Sequence, residues 1–258
     1  MTYINDGLPF LVNSEIIEYD IKSGNTSMMK RYQLQPPEVI AEIDKMEKKQ
    51  RNVTVGLLQR KDREFAKKLE QCFNTTVKEF IDKNGLDIDV DILAIRKDAV
   101  FVVNHPVSIT KLDDVVDFRQ KSKYHAALQI GPKLEFYFTD DGEVEIKNFV
   151  TVEKDENEAL KKLQPGMIAF LKEFIQIAEG TNMNRPQLYR WLRDFCTYYK
   201  NRELDAEYYR EFTREACFRV RLGEDDTFYD HIPDDMIEDL DISFNYKNII
   251  IPLLQILI

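Results

Sequence analysis

The sequence predicts an α+β fold: an antiparallel sheet with packed helices, followed by a mostly helical second domain. Three observations carry that expectation. Short apolar runs (ILAI, AVFVV, HAALQI, KLEFYF and EVEIKNF) follow one another in the first part of the chain, with Asp141-Gly142 marking a hairpin between the last two. Phe65, Leu69, Cys72, Phe73, Val77 and Phe80 recur at helical spacing between Lys61 and Lys83. Beyond residue 153 the reading is almost wholly helical to about residue 221. The chain therefore divides into an α+β domain over 1–152 and a mostly helical domain over 153–258.

Taken in order, Ile16, Ile17, Tyr19 and Ile21 suit a half-buried strand. Asp20 sits at its end, followed by Ser23, Gly24, Asn25, Thr26 and Ser27, small residues that expose backbone N–H groups and suit a helix start. Pro36-Pro37 opens a helix running toward Arg51, and the longer helix after it stops at Asn84-Gly85, a C-terminal cap. DILAIRKDAVFVVN then reads as strand, polar interruption and strand, with Asp98 at the tip or shoulder of a hairpin. A later helix, around NRPQLYRWLRDFC, interleaves Arg and Tyr in the manner of a nucleic-acid grip, but acidic residues mixed in suit a buried helix with solvated charges. LGEDDTFYDHIPDDMIEDLD reads as an acidic loop with one short helix. The closing NIIIPLLQILI is apolar, about half a membrane span long and interrupted by Pro252, so it reads as a packed tail or a docking element for a partner.

Composition bounds the function. The chain is 43% hydrophobic, which places it among globular proteins and excludes wholesale disorder. A net charge of −10 is opposite to that of a free-standing nucleic-acid binder, so any such binding needs a local basic surface, a metal ion or a partner. Cys72, Cys196 and Cys217 lack metal-ligand spacing, and their odd number fits a reduced, cytoplasmic setting. His105, His125 and His231 form no zinc pattern, no phosphate-loop motif occurs, and the opening MTYINDGLPF has no signal-peptide character. No membrane association is expected.

Two strand-end aspartates joined through a long helix suit a hard cation, because Mg²⁺ takes a few carboxylates plus phosphate oxygens. Asp20 and Asp98 are that pair; the alternative is a capping Asp and a turn Asp. Around them the spacings resemble the palm of family B DNA polymerases in a shortened, divergent form, of the kind a phage or other mobile element carries. Asp20, Ser23 and Ser27 match the first signature, with Gly24, Asn25 and Thr26 between the serines. Lys48, Asn52 and Gly56 match the second, with Val53 and Val55 replacing its Ser and Tyr. Asp98 matches the second acid of the third signature, and Arg96 stands in place of the first. KSKYHAAL resembles the strand that holds the primer, and DGEVEIKNF the strand ending in Lys-Gly. The resemblance covers roughly residues 16 to 150.

The resemblance implies a palm-like sheet, a thumb-like helical domain and template-directed nucleotidyl transfer by a two-metal mechanism in DNA replication. It makes Asp20 and Asp98 the catalytic, Mg²⁺-bridging carboxylates. Ser23, Gly24, Asn25, Lys48 and Asn52 would meet the nucleoside triphosphate, with backbone N–H groups from Ile21 to Gly24 cradling its phosphates. Gly56, Arg96, Lys123 and Tyr124 would meet the primer-template. The bland alternatives stand beside these: Ser23 as a helix cap, Lys48 on a solvated face, Gly56 as a tolerated helix glycine costing roughly 1 kcal/mol against Ala, and Tyr124 filling a sheet face. Departures from the pattern bear on function. Asn25 replaces the tyrosine that excludes a ribose 2′-hydroxyl, Arg96 puts a cation where a carboxylate is expected, and the short span from Asp20 to Asn52 leaves no full fingers hairpin. The expectation is thus a compact polymerase, or the palm subunit of a split one with a protein partner supplying missing parts. The alternatives are a weakened palm that binds nucleic acid or a polymerase partner, and a structural adaptor joined through its tail.

Overall fold

A computed structural model describes residues 2–130, 134–147, 165–209 and 245–258. It is α+β, with two antiparallel sheets. By compactness the chain forms two units, Met1–Gly7 with Glu15–Lys123, and Leu8–Ser14 with Tyr124–Ile258. The 152/153 boundary expected from the strand-to-helix change lies outside the described residues. The compact units meet earlier, between Lys123 and Tyr124, because the hairpins after Tyr124 share a core with the later helices.

The first unit is a five-stranded sheet with helices on one face. Its strands are β1 (Thr2–Ile4), β3 (Ile16–Ile21), β4 (Ile92–Arg96), β5 (Ala99–Val103) and β6 (Phe118–Tyr124), in the order β1-β4-β5-β3-β6. Strand β2 (Phe10–Leu11) belongs to the other unit. Between β3 and β4 run α1 (Gly24–Tyr32), α2 (Pro37–Asp44), α3 (Lys48–Lys61) and α4 (Arg63–Asn84). Alternation decides which strand face the helices cover: Tyr19, Ile21, Ile95, Val100 and Val102 join Phe73, Val77 and Phe80 of α4 in one core. Phe80 stacks on Phe118 with ring centroids 4.1 Å apart. Helix α4 ends as expected, with Gly85 at φ 64° donating its N–H to the carbonyls of Asp82 and Ile81.

The helix expected from Pro37 toward Arg51 is broken. α2 stops at Asp44, and Glu47 adopts an extended conformation (φ −54°, ψ 147°) before α3 begins. The break turns Ile40 and Ile43 of α2 and Val55 of α3 into the same core from two helices. Asp44 then joins three helices, accepting from Lys30 of α1 at 2.5 Å and facing Arg51 of α3 at 3.6 Å. The Lys30 hydrogen bond holds its pKa below the ordinary carboxylate value.

The second unit has the sheet β2-β7-β8-β9, with β7 (Ala126–Ile130), β8 (Leu134–Phe138) and β9 (Val144–Lys147). Helices α5 (Pro165–Gly180), α6 (Arg185–Lys200) and α7 (Ile251–Leu257) complete it. α6 is amphipathic: Leu188, Leu192, Phe195, Cys196 and Tyr199 are buried, and its charges lie outward. The apolar tail is a core element, which is the packed-tail reading of the two that its sequence allowed. Ile249, Ile250 and Leu253 are fully buried among Phe195, Tyr199 and Tyr246. Pro252 lacks an N–H for the preceding helical turn, and the chain accommodates this with a π-helical turn over Tyr246–Ile250 just before it. Of the remaining sequence-based readings, the acidic segment 222–241, Cys217, His231 and the helix beyond residue 209 lie outside the described residues.

Candidate active site

The site is built where β3, the β4–β5 hairpin and α1 meet. Strands β3 and β5 pair antiparallel, with Asp20 opposite Ala99. Asp98 therefore lies beside the end of β3, and the Ile21 N–H donates to its carbonyl at 3.1 Å. On the other side the Lys22 N–H donates to the Asp117 carbonyl at 2.9 Å. The strand end carrying Asp20 is thus held by backbone bonds from both neighbours.

Asp98 senses the charge of Asp20. Burial, and after it the negative charge of Asp20, raise the Asp98 pKa above the ordinary aspartate value; Lys97 and Lys121 offset part of that rise. Asp20 keeps 18% of its side chain exposed and faces Arg119 of β6 at 3.7 Å. The same pairing repeats along the strand. Lys121 meets Glu18, itself only 2% exposed, at 2.7 Å, and Lys123 meets Glu15 at 2.6 Å. Three cations on alternate β6 residues thus face three acids around β3. Of these only Lys123 is singled out by the sequence motifs, although the period-2 pattern of Arg119, Lys121 and Lys123 was there to find.

Helix α1 starts against the hairpin. Ser23 is at the N-cap position in a left-handed conformation (φ 54°) and makes no side-chain cap, so the capping role allowed for it is not realised. The Thr26 hydroxyl donates to the Ser23 carbonyl, and the Ser27 hydroxyl to the Lys22 carbonyl. The amide groups of Gly24, Asn25 and Thr26 have no acceptor among the described residues. Gly24 is required by its neighbour: a Cβ there would lie 2.8 Å from Asp98 Oδ2 and 3.2 Å from the Phe73 ring. Lys97, at the hairpin tip with φ 55°, reaches back to Asn25 Oδ1 at 2.9 Å, its ammonium 4.7 Å from the Phe73 ring centroid. Burial of that ammonium lowers its pKa, and Asp98 opposes the shift.

Asp20, Asp98, Ser23, Gly24 and Asn25 are therefore brought together, with Lys97, Arg119 and Lys121 added. Arg96 ends β4, opposite Ala99 of β5 and Thr2 of β1. Lys48, Asn52 and Gly56 recur at helical spacing along α3. Lys48 and Asn52 are exposed, and a Cβ on Gly56 would meet nothing within 4 Å. No hydrogen bond or ion pair among the described residues links these three to the carboxylates. Tyr124 is a correction: it is fully buried, its ring 5.0 Å from that of Tyr137 and its hydroxyl donating to Glu145, so it fills a sheet face and has no surface for a primer.

No cluster of three or more His, Cys, Asp or Glu suited to a metal occurs among the described residues. The donor set at the hairpin is two carboxylates, enough for an Mg²⁺ whose remaining ligands are waters and substrate phosphates, and too few for a full protein cage. A carboxylate pushed up by burial and by a second carboxylate is an arrangement that a cation relieves. The described helices include none long and apolar enough to cross a membrane. In comparison with known proteins, the family model described as Bacteriophage PBS1 gene 130 protein matches residues 1–258. No curated protein matches the chain.

Proposed function

We propose that this chain, which belongs to the Bacteriophage PBS1 gene 130 protein family, performs template-directed nucleotidyl transfer as a compact or split DNA polymerase palm. The observation that carries the reading is the pair Asp20, near the end of β3, and Asp98, in the β4–β5 turn beside it, close enough for the charge of Asp20 to raise the Asp98 pKa. Mg²⁺ bound there would supply charge neutralisation at the transferring phosphoryl group. The chain's own residues do the rest. Asp20 and Asp98 hold the cation. The uncapped amides of Gly24, Asn25 and Thr26 bind triphosphate oxygens at the start of α1. Lys97 keeps Asn25 against the hairpin, fixing the side chain nearest the incoming sugar. Arg119 and Lys121 exchange their carboxylate partners for phosphates of the primer end.

A second reading has its own support. Arg119 faces Asp20, and Lys97 and Lys121 both lower the Asp98 pKa, so cations already neutralise part of the acid pair. On that reading the chain binds nucleic acid or a polymerase partner without chemistry.

Primer extension with Mg²⁺ tests the two. Asp20→Asn and Asp98→Asn should each lower nucleotide incorporation by on the order of 10²–10³ or more, while the fold is retained. Parental activity in both variants would place the chemistry elsewhere. Primer-template binding with no incorporation by the parent protein, alone or with its replication partners, would select the second reading.

A further inference from the structure

The largest local departure from the chain's acidic character lies away from the carboxylates. Between Lys45 and Lys68 nine basic residues stand against three acidic ones, in a protein whose net charge is −10. Helix α3 alone carries five basic and no acidic residues, and buries only Val55. At its end a single residue, Asp62, closes α3 and caps α4, accepting the Phe65 N–H at 3.0 Å. That one-residue elbow brings Arg60, Lys61, Arg63 and Lys67 to a shared corner of the first unit. All four are exposed, and none forms an ion pair among the described residues.

These cations do little for the fold. Arg63 occupies the first position of the 22-residue α4, where the helix dipole disfavours positive charge. Mutual repulsion adds to that cost, and among the described residues no carboxylate forms an ion pair with these four side chains. Leu57, 48% exposed, and Val53, 57% exposed, follow one and two turns back along α3. Aliphatic groups next to a cationic corner have no partner in a duplex backbone, whereas a single strand offers both phosphates and open base faces. Two aliphatic side chains are too few to seat the helix in a lipid interface.

We propose that the α3–α4 elbow is a binding site for single-stranded nucleic acid, with Arg60, Lys61, Arg63 and Lys67 on phosphates and Leu57 against a base. The site is independent of the acid pair and does not rest on nucleotidyl transfer.

Fluorescence anisotropy of the full chain with a labelled oligothymidylate of about 20 nucleotides tests it. The parent should bind with an affinity that falls as salt rises. In the variant R60Q/K61Q/R63Q/K67Q, affinity at low salt should fall at least about tenfold, and the slope of log K against log salt should drop by roughly 3, at about 0.7 per phosphate contact. Leu57→Ser should weaken the single strand but leave the affinity for a duplex of equal length unchanged. Lys111→Gln, at an exposed cation outside the elbow that pairs with Asp114, should bind as the parent does. Unaltered circular dichroism and melting would show that the exposed substitutions leave the fold intact. Unchanged affinity in the quadruple variant, preference for the duplex, or equal binding of polyglutamate or anionic lipid vesicles would overturn the assignment.

Discussion

Two hairpins in this chain carry an aspartate at a polar turn, and they put it to opposite uses. In the β8–β9 hairpin Asp141 is exposed and bonded by the Thr139 hydroxyl, and Gly142 supplies the left-handed backbone at φ 80°. Thr139 and Glu143 close the turn through backbone bonds. In the β4–β5 hairpin the left-handed position is a lysine, at φ 55°, and the aspartate lies against α1 and the end of β3. The first turn is chosen for ease of folding. The second accepts backbone strain, burial and a neighbouring like charge at one place, and such a concentration of costs is what functional sites display.

The largest effect on this contrast should come from Gly24→Ala. A methyl group 2.8 Å from Asp98 Oδ2 and 3.2 Å from the Phe73 ring must shift the carboxylate or the ring, with a loss of about 1–3 kcal/mol by chemical denaturation where the two are held in place. A fully stable variant would mean that the Asp98 carboxylate turns aside freely and is not held.

Exchanging the turn chemistry should give opposite signs at the two tips. Gly142→Ala forces an L side chain into φ 80° and should cost about 1–2 kcal/mol. Lys97→Gly relieves the same kind of strain and should gain up to about 1 kcal/mol in thermal melts. If the lysine variant instead loses stability, its contacts with Asn25 and Phe73 outweigh the strain.

The smallest shift concerns charge. The Asp98 pKa is raised in the folded state, so its ionised form opposes folding; the penalty is absent below the unfolded-state pKa and complete above the raised folded one. Asp98→Asn should therefore raise Tm at neutral pH and leave it unchanged in acid. Mg²⁺ should raise the parent's Tm and not the variant's. A variant that melts lower at neutral pH would remove the case for a strained carboxylate.

Much of the fold was legible because the sequence punctuates it. Gly85 and Asp141-Gly142 end their elements where backbone geometry demands glycine. The break at Glu47 was not, since Lys45-Met46-Glu47 contains no breaking residue and the bend comes from burying Ile43 and Val55 in one core. The aspartates and small residues around α1 could be found from local spacing. Arg119 and Lys121 could have been read from their alternation, but which carboxylate each meets depends on the β3–β6 register, set by pairing across a long stretch of chain. Tyr124 and the tail each kept two readings for a common reason. Surface and core demand the same aromatic and aliphatic residues, and only packing tells them apart.

Strand β2 is a short piece of chain with a long reach. Phe10 and Leu11 pair with Leu128 and Ala127, so the polypeptide enters the second unit at Leu8, leaves it after Ser14 and returns at Tyr124. No single cut separates the two units. A polypeptide ending at Lys123 would carry Phe10 without the sheet that shelters it, and one starting at Tyr124 would leave the outer edge of β7 open to foreign strands. Dissecting this protein into halves therefore calls for rejoining the chain, by circular permutation or by grafting residues 8–14 ahead of Tyr124, before either half is asked to fold alone.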